Sequence, residues 1–270
     1  MQFLQTLFAW AACGTLSALL LQCLAGRLKA HPPSPRAMLG DPVEPWSGDF
    51  TSDQCAWTNA LEWACGAAAG ATTLSEAASL VTEGINMSGV FHYDTEDGAS
   101  YFTKQRRHLI FWTITEVSIT DCLSALNNPS ANEYVNCTDC AAFVTSFSNL
   151  LGCGLYSSRM GLGFATNPYC AIGQPAWTPP SWGWGFNYHE VAWDGDAGDG
   201  DLVYDACLRY DGDDDPTSEP HVSQLPVAVQ FSDGNPAPPL VYRERLTPNA
   251  AYGYPYCGSI PSAKIRRLVR

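Results

Sequence analysis

From Asn136 to Leu151 the chain reads "NCTDCAAFVTSFSNLL", and this stretch predicts a helix that begins at Cys137. Asn136 is a good N-cap, because its side-chain oxygen can accept hydrogen bonds from the amides of the first turn. Asp139 then falls at the third helical position, where a carboxylate suits the helix dipole. Apolar and small residues follow at intervals of three and four, which predicts one buried face. That face comprises Cys140, Ala141, Val144, Phe147, Ser148 and Leu151.

The predicted place of Cys137 at the helix tip has a chemical consequence. Unpaired amides and the positive end of the dipole favour the thiolate, and the pKa of such a cysteine falls from about 8.5 to about 3.5–7.5. The same amides can stabilise an oxyanion. Cys137 is therefore a candidate nucleophile, provided that a base lies nearby. A disulfide, a redox pair or a structural role for Cys137 and Cys140 stays open, whereas a zinc site would need a second C-x-x-C, which the chain lacks.

A base and an orienting acid are offered by "FNYHEVAWDGDAGDGDLVYDACL", residues 186–208, where two apolar runs flank a Gly/Asp loop. This pattern is typical of a β-hairpin. If the hairpin is symmetric about Ala197, His189 and Asp205 face each other with Cβ atoms ~5 Å apart. The carboxylate can then orient one ring nitrogen and leave the other for a thiol. Glu190 points to the opposite face, which disfavours it as the orienting acid.

The rest of the chain predicts helices first and short strands later. Residues 52–70 and 72–87 have helical spacing, and Thr73 and Glu76 are placed as a capping box. Five strand-like runs follow the Cys137 helix: "GLYSSRM", "NPYCAIG", "FNYHEVAW", "DLVYDACL" and "PLVYRERL". This order indicates an α+β fold.

The first 48 residues are divided by composition. Residues 1–30 form an apolar segment that could be a signal, an anchor or a packed helix, and residues 31–48 read as a Pro-rich linker before a domain at 49–270. Arg27 and Lys29 follow the apolar run, which favours retention in a membrane over cleavage. We expect an exported or membrane-tethered protein with membrane contact through this segment, and a cytoplasmic location stays open.

The cysteine count fits that expectation. Of 11 cysteines, all but Cys13 and Cys23 lie beyond the apolar segment, and the odd remainder leaves at least one thiol without an intramolecular partner. One free thiol plus up to four disulfides would suit an exported protein.

The charge of the chain limits its partners. A net charge of -13 with only three lysines disfavours nucleic acid as a partner. The basic end "KIRRLVR" is interpreted as a solvated or strand-pairing tail. The acidic loop fails the EF-hand pattern, because Gly198 and Asp199 stand where Asp or Asn and then Gly are needed. We interpret the acidic stretches as solvated turns, and we expect no required metal and no cofactor.

Three motifs in order, "NCTDCAAFVTSFSNLLGC", "YHEVAW" and "VYDACL", resemble the transglutaminase-like branch of the papain-like cysteine enzymes. The resemblance covers roughly residues 100–210. It implies a papain-like core with N-terminal helices, a nucleophile-bearing helix and an antiparallel sheet, in which Cys137 is the nucleophile, His189 the base and Asp205 the orienting acid. The chain departs from the family at "GCGLYSSRM", where Gly-Ile-Pro-Ala-Arg is common. It also places Trp193 four residues after the histidine rather than two.

The resemblance implies attack of the thiolate on an amide and a thioester intermediate, as in a peptidase, deamidase or transglutaminase acting on protein or peptide. Trp182, Trp184 and Trp193 are candidate walls of the substrate cleft. Two alternatives are kept: a non-catalytic, disulfide-stapled binding or structural domain of the same fold, and a C-x-x-C redox protein. The sequence leaves the oligomeric state and the substrate open.

Overall fold

A computed structural model describes residues 54–108, 112–161, 163–248, 264–265 and 267–269. The predicted apolar segment, the linker and the start of the domain at residue 49 lie outside these ranges. The helices are α1 (Gln54–Ala67), α2 (Leu74–Asn86), α3 (Ile119–Leu126), α4 (Cys137–Leu150) and α5 (Tyr242–Leu246). Within the described ranges, none of the helices has the length and apolar character needed to cross a membrane.

Short strands accompany these helices, so the predicted α+β class is confirmed. The strands are β1 (Phe91–Tyr93), β2 (Thr103–His108), β3 (Trp112–Val117), β4 (Glu133–Val135), β5 (Tyr156–Met160), β6 (Phe164–Ala165), β7 (Tyr169–Ala171), β8 (Gly185–Phe186), β9 (His189–Trp193), β10 (Leu202–Tyr204), β11 (Leu208–Asp211), β12 (Ser223–Gln224), β13 (Val229–Gln230) and β14 (Leu268–Val269). The sheet that matters for the site is antiparallel, with the order β13-β10-β9-β5.

Helix α4 lies in the middle of the fold. It packs against α1 and α2 on one side and against β9 on the other. The sequence predicted one buried face, but every residue of α4 except Thr145 is buried, because the sheet and the helices enclose it from both sides. Phe147 contacts Trp63 at 4.4 Å between ring centroids, and Phe143 contacts Phe91 at 5.4 Å. The helix that carries Cys137 is thereby fixed by the core.

The predicted helix caps are confirmed. Thr73 accepts a hydrogen bond from the amide of Glu76, and the Glu76 carboxylate accepts one from the amide of Thr73, which completes the capping box of α2. Asn136 caps α4 by accepting from the amide of Asp139 at 3.1 Å. Its side-chain nitrogen also donates to the carbonyl of Gly98 at 2.8 Å, so the cap is tied to a neighbouring loop.

One strand prediction is wrong. The run "PLVYRERL" contains the short helix α5 instead of a strand. Burial alternates here, since Tyr242, Glu244 and Leu246 are buried and the two arginines between them are less so, and this alternation resembles a strand. The backbone is nevertheless helical, because the amides of Arg245 and Thr247 each bond to the carbonyl four residues earlier.

The basic end of the chain pairs with the fold. Strand β14 runs parallel to β3, with Leu268 beside Glu116 and Val269 beside Val117. Ile265 also forms an isolated bridge with Ser157 on β5. The strand-pairing interpretation of this segment is confirmed.

Candidate active site

Cys137 is the first residue of α4, as predicted, and its side chain is 4% exposed. The first turn is held by Asp139, whose buried carboxylate accepts from the Ser100 hydroxyl at 2.7 Å and from the amides of Tyr101 and Thr103 at 2.8 and 2.7 Å. Burial raises the pKa of Asp139, and these hydrogen bonds oppose the rise. Asp139 therefore joins the start of β2 to the helix tip. The sequence predicted only its favourable interaction with the helix dipole.

His189 and Asp205 form a buried pair. Nε2 of His189 lies 2.8 Å from Oδ2 of Asp205. The imidazole also stacks on Phe186, with 4.9 Å between ring centroids and an interplanar angle of 25°. The stack and the carboxylate together fix the ring orientation.

The predicted hairpin register is wrong by one position. Val203 pairs with Trp193 and Tyr204 with Ala192, so the centre is Gly198 and not Ala197. If this register continued beyond β10, Cys207 would lie opposite His189. Asp205 would then lie two positions away from that point, on the same face as His189. Ala197 adopts a φ of 60° inside the turn, which the symmetric prediction did not anticipate.

Asp205 reaches His189 because it leaves the strand. Strand β10 ends at Tyr204, and the amide of Asp205 donates to the carbonyl of Pro226 at 2.9 Å. Its Oδ1 accepts from the amide of Cys207 at 2.8 Å. These bonds direct the second carboxylate oxygen toward the imidazole.

A further residue of the site, Tyr242, was missed by the sequence reasoning. Its hydroxyl donates to Oδ2 of Asp205 at 2.8 Å, the same oxygen that faces His189. Tyr242 is fully buried and comes from α5, whose run was assigned to a strand. No local motif marks it.

The electrostatics of the pair favour an imidazolium. Burial lowers the pKa of His189, but the Asp205 carboxylate outweighs it and Cys137 adds to the rise, so that the pKa reaches about 10. The other ring nitrogen, Nδ1, is buried without a well-aligned hydrogen bond in the described part of the chain. Cys137 is close enough to influence the ring yet not aligned with it, which is common before substrate binds. The structure thus gathers Cys137, His189 and Asp205.

A second buried network lies on the opposite face of β9. Oε1 of Glu190 is 2.5 Å from Nη2 of Arg267, and its Oε2 is 3.5 Å from Nε of Arg159. Thr138 donates to Oε2 at 3.3 Å. Burial raises the pKa of Glu190, and Arg267 opposes this. The network joins the neighbour of His189 to the neighbour of Cys137, and sequence reasoning did not find Arg267.

The three predicted cleft tryptophans lie in different surroundings. Trp182 is 40% exposed and contacts the ring of Tyr93. Trp184 is partly buried against Tyr169, at 5.1 Å between centroids. Trp193 is fully buried against Phe231 at 4.5 Å, so it belongs to the core and not to a cleft wall. Every residue of β9 is buried, and Phe231 covers this end of the strand.

The thiols near the site are unbridged. Cys137, Cys140 and Cys207 form no disulfide in the structure. Burial raises the pKa of Cys140 and of Cys207, and the two thiols lie within hydrogen-bonding reach of each other. The described ranges contain no group of three or more side chains that could hold a metal ion.

Comparisons of the chain with protein-family models, with curated proteins and with solved structures gave no match. The interpretation of the site therefore rests on the geometry of its residues.

Proposed function

We propose that the protein is a cysteine-dependent acyl-transfer enzyme that attacks amide bonds of a protein or peptide through a Cys-His-Asp triad. The observation that carries the proposal is the buried His189–Asp205 pair, 2.8 Å apart, beside a cysteine at a helix tip. A cysteine in this position is activated by the free amides and the positive end of the helix dipole, which favour the thiolate, and by an oriented base.

The arrangement of elements supports a papain-like core. A cysteine-bearing helix packs on an antiparallel sheet, and the histidine and the acid follow it in the chain on β9 and just after β10. The acid bonds one ring nitrogen of His189 and leaves the other on the side of Cys137. Triads are recognised by such geometry and roles rather than by sequence position.

In the first half of the reaction the Cys137 thiolate attacks the carbonyl carbon. The new S–C bond forms while the carbonyl π pair moves to oxygen. The pair then returns, the C–N bond breaks, and the His189 imidazolium gives its proton to the leaving amine. The product is a thioester on Cys137 and a free amine or ammonia.

In the second half an incoming nucleophile resolves the thioester. His189, now neutral, removes a proton from water or from a primary amine as it attacks. The S–C bond breaks and Cys137 leaves as the thiolate beside the imidazolium. Water makes the enzyme a peptidase or a deamidase, and an amine makes it a transglutaminase.

The two alternatives receive less support. A redox C-x-x-C pair needs no buried His189–Asp205 pair beside its first thiol, and Cys140 lies within hydrogen-bonding reach of Cys207. A non-catalytic domain stapled by Cys137 would hold that thiol in a disulfide, whereas Cys137 is unbridged.

Alkylation by iodoacetamide near neutral pH, read by peptide mapping, tests the proposal. We expect Cys137 to react faster than N-acetylcysteine and much faster than Cys65, whose pKa burial raises to about 11. His189→Ala should remove this advantage, because the imidazolium partner is lost. Primary amine added during turnover then distinguishes hydrolysis from transfer.

Two results would contradict the proposal. One is a Cys137 that alkylates no faster than the free model thiol. The other is a non-reducing peptide map that shows Cys137 joined to another cysteine.

A further inference from the structure

Tyr169, on β7, carries a buried hydroxyl that the mechanism above leaves unused. The residue is 1% exposed, and its hydroxyl has no hydrogen-bond partner among the residues that the structure describes. Buried polar groups nearly always have a partner, and an exception calls for an explanation. A hydroxyl held ready for a substrate is one such explanation.

The ring of Tyr169 is fixed beside the catalytic histidine. It stacks on Phe186, with 5.2 Å between centroids and an angle of 26°, and Phe186 in turn stacks on His189. Trp184 packs against it edge-on at 5.1 Å. With the ring held on both sides, the hydroxyl is positioned without a bond of its own.

Strand β7 pairs with β11, and the amide of Ile172 donates to the carbonyl of Cys207, so Tyr169 lies beside the segment that follows Asp205. Burial, followed by the nearby thiols of Cys207 and Cys137, raises the pKa of Tyr169 well above its usual range. The group is therefore a neutral O–H donor at physiological pH. A neutral donor beside the site can stabilise a negative charge that appears only during the reaction.

We infer that the Tyr169 hydroxyl donates a hydrogen bond to the oxyanion that forms when Cys137 attacks a carbonyl. This inference rests on the proposed function. As the S–C bond forms, the π pair on oxygen accepts the hydrogen bond, and the phenol proton stays on Tyr169. Amides in the first turn of α4, which lack intrahelical partners, supply the remaining donors. The bond is released when the pair returns and the leaving group departs.

The test compares two reactions of the same sulfur. Acylation by p-nitrophenyl acetate passes through an oxyanion, and the burst of p-nitrophenolate gives its rate. Alkylation by iodoacetamide is a displacement at carbon and forms no oxyanion. For Tyr169→Phe we expect acylation about 100-fold slower or more, the loss typical of one oxyanion donor, and alkylation within about twofold of wild type.

Two further variants and a stability measurement serve as controls. Cys137→Ala sets the background for both reagents. Tyr93→Phe tests the competing donor, because Tyr93 is also buried near Cys137 and packs on Trp182. We expect it to acylate like wild type, because its hydroxyl is not among the buried side-chain atoms that lack a partner. The thermal midpoint of Tyr169→Phe should equal or exceed that of wild type, because the change removes only an unpaired hydroxyl.

The outcomes separate the two proposals. Equal acylation by Tyr169→Phe and wild type overturns the inference and leaves the proposed function standing. A parallel loss of acylation and alkylation overturns it too, because Tyr169 would then act on the sulfur, and so does a loss confined to Tyr93→Phe. If wild type neither acylates nor alkylates above Cys137→Ala, the proposed function fails and the inference falls with it.

Discussion

The hydroxyl of Tyr242 donates to Oδ2 of Asp205 at 2.8 Å, although 37 positions separate the two residues in the chain. The same oxygen faces the imidazole of His189. Two donors and the amide of Cys207 therefore hold a carboxylate that no longer belongs to a strand. The orientation of the candidate base depends on a short helix near the end of the chain.

The first prediction concerns this bond. Tyr242→Phe removes a hydrogen bond to a charged acceptor, so we expect the free energy of unfolding to fall by about 1.5–3 kcal/mol. We also expect slower acylation, because Asp205 loses one of its restraints. Urea unfolding and the p-nitrophenyl acetate burst measure the two effects.

Tyr204→Phe is the matched control. Its hydroxyl lies 3.0 Å from the Ser75 hydroxyl, a pair of neutral groups, so the loss should be about 0.5–1.5 kcal/mol with little effect on acylation. Equal losses of unfolding free energy in the two variants would show that the charged acceptor does not strengthen the Tyr242 hydrogen bond.

The second prediction concerns pH. The pKa of His189 is about 10 in the fold against an ordinary value of 6.5. Because the folded value is the higher one, the pair contributes its full stability below about pH 6.5, and the contribution disappears as pH rises toward 10. Wild type should therefore lose its stability advantage over His189→Gln across this window in urea unfolding at several pH values. An advantage that stays constant up to pH 10 would mean that His189 is neutral in the fold.

The third prediction concerns the Glu190–Arg267 ion pair. Arg267→Gln leaves the buried Glu190 carboxylate with Thr138 and the more distant Arg159, and breaking a buried pair typically costs about 3–5 kcal/mol. Glu190→Gln combined with Arg267→Gln should recover much of the loss, because no charge is left buried.

A surface pair provides the comparison. Lys264 lies 2.6 Å from Asp196, whose side chain is 93% exposed, so Lys264→Gln should cost less than about 1 kcal/mol. All variants are measured by urea unfolding at neutral pH. A double variant no more stable than Arg267→Gln would indicate that packing, rather than charge, explains the loss.

The fourth prediction compares two acids at the third position of a helix. Asp139→Ala leaves the backbone amides of Tyr101, Phe102 and Thr103 without their acceptor, and we expect a loss of at least about 2 kcal/mol. Asp121 occupies the same position in α3 but is exposed, so Asp121→Ala should cost only about 0.3–1 kcal/mol. Similar losses would show that both acids act only on the helix dipole.

The features that the sequence predicted correctly are local ones. The caps at Thr73 and Asn136 and the start of α4 at Cys137 depend on residues within four positions of each other. The shared face of His189 and Asp205 also follows from a simple period of two, and it survives an error of one position in the turn centre.

The features that it missed depend on distant segments. Tyr242 reaches the site from α5 and Arg267 reaches Glu190 from beside β14, and nothing in their neighbours shows what they contact. The enclosure of α4 on both sides was also missed. The spacing of apolar residues in the sequence predicted only one buried face, whereas the opposite face is buried too. Trp193 was misplaced for a related reason, because Phe231, which covers it, comes from a distant segment of the chain.

Strand β9 carries opposite charges on its two faces, an imidazolium toward Asp205 and a carboxylate toward two arginines. If the strand slid by a single residue during folding, Glu190 would meet Asp205 and His189 would lose the acid that keeps it charged. Two buried carboxylates would then lie together, which disfavours the mispaired hairpin. The two neighbouring residues thus favour the correct register of the strand that holds the candidate base.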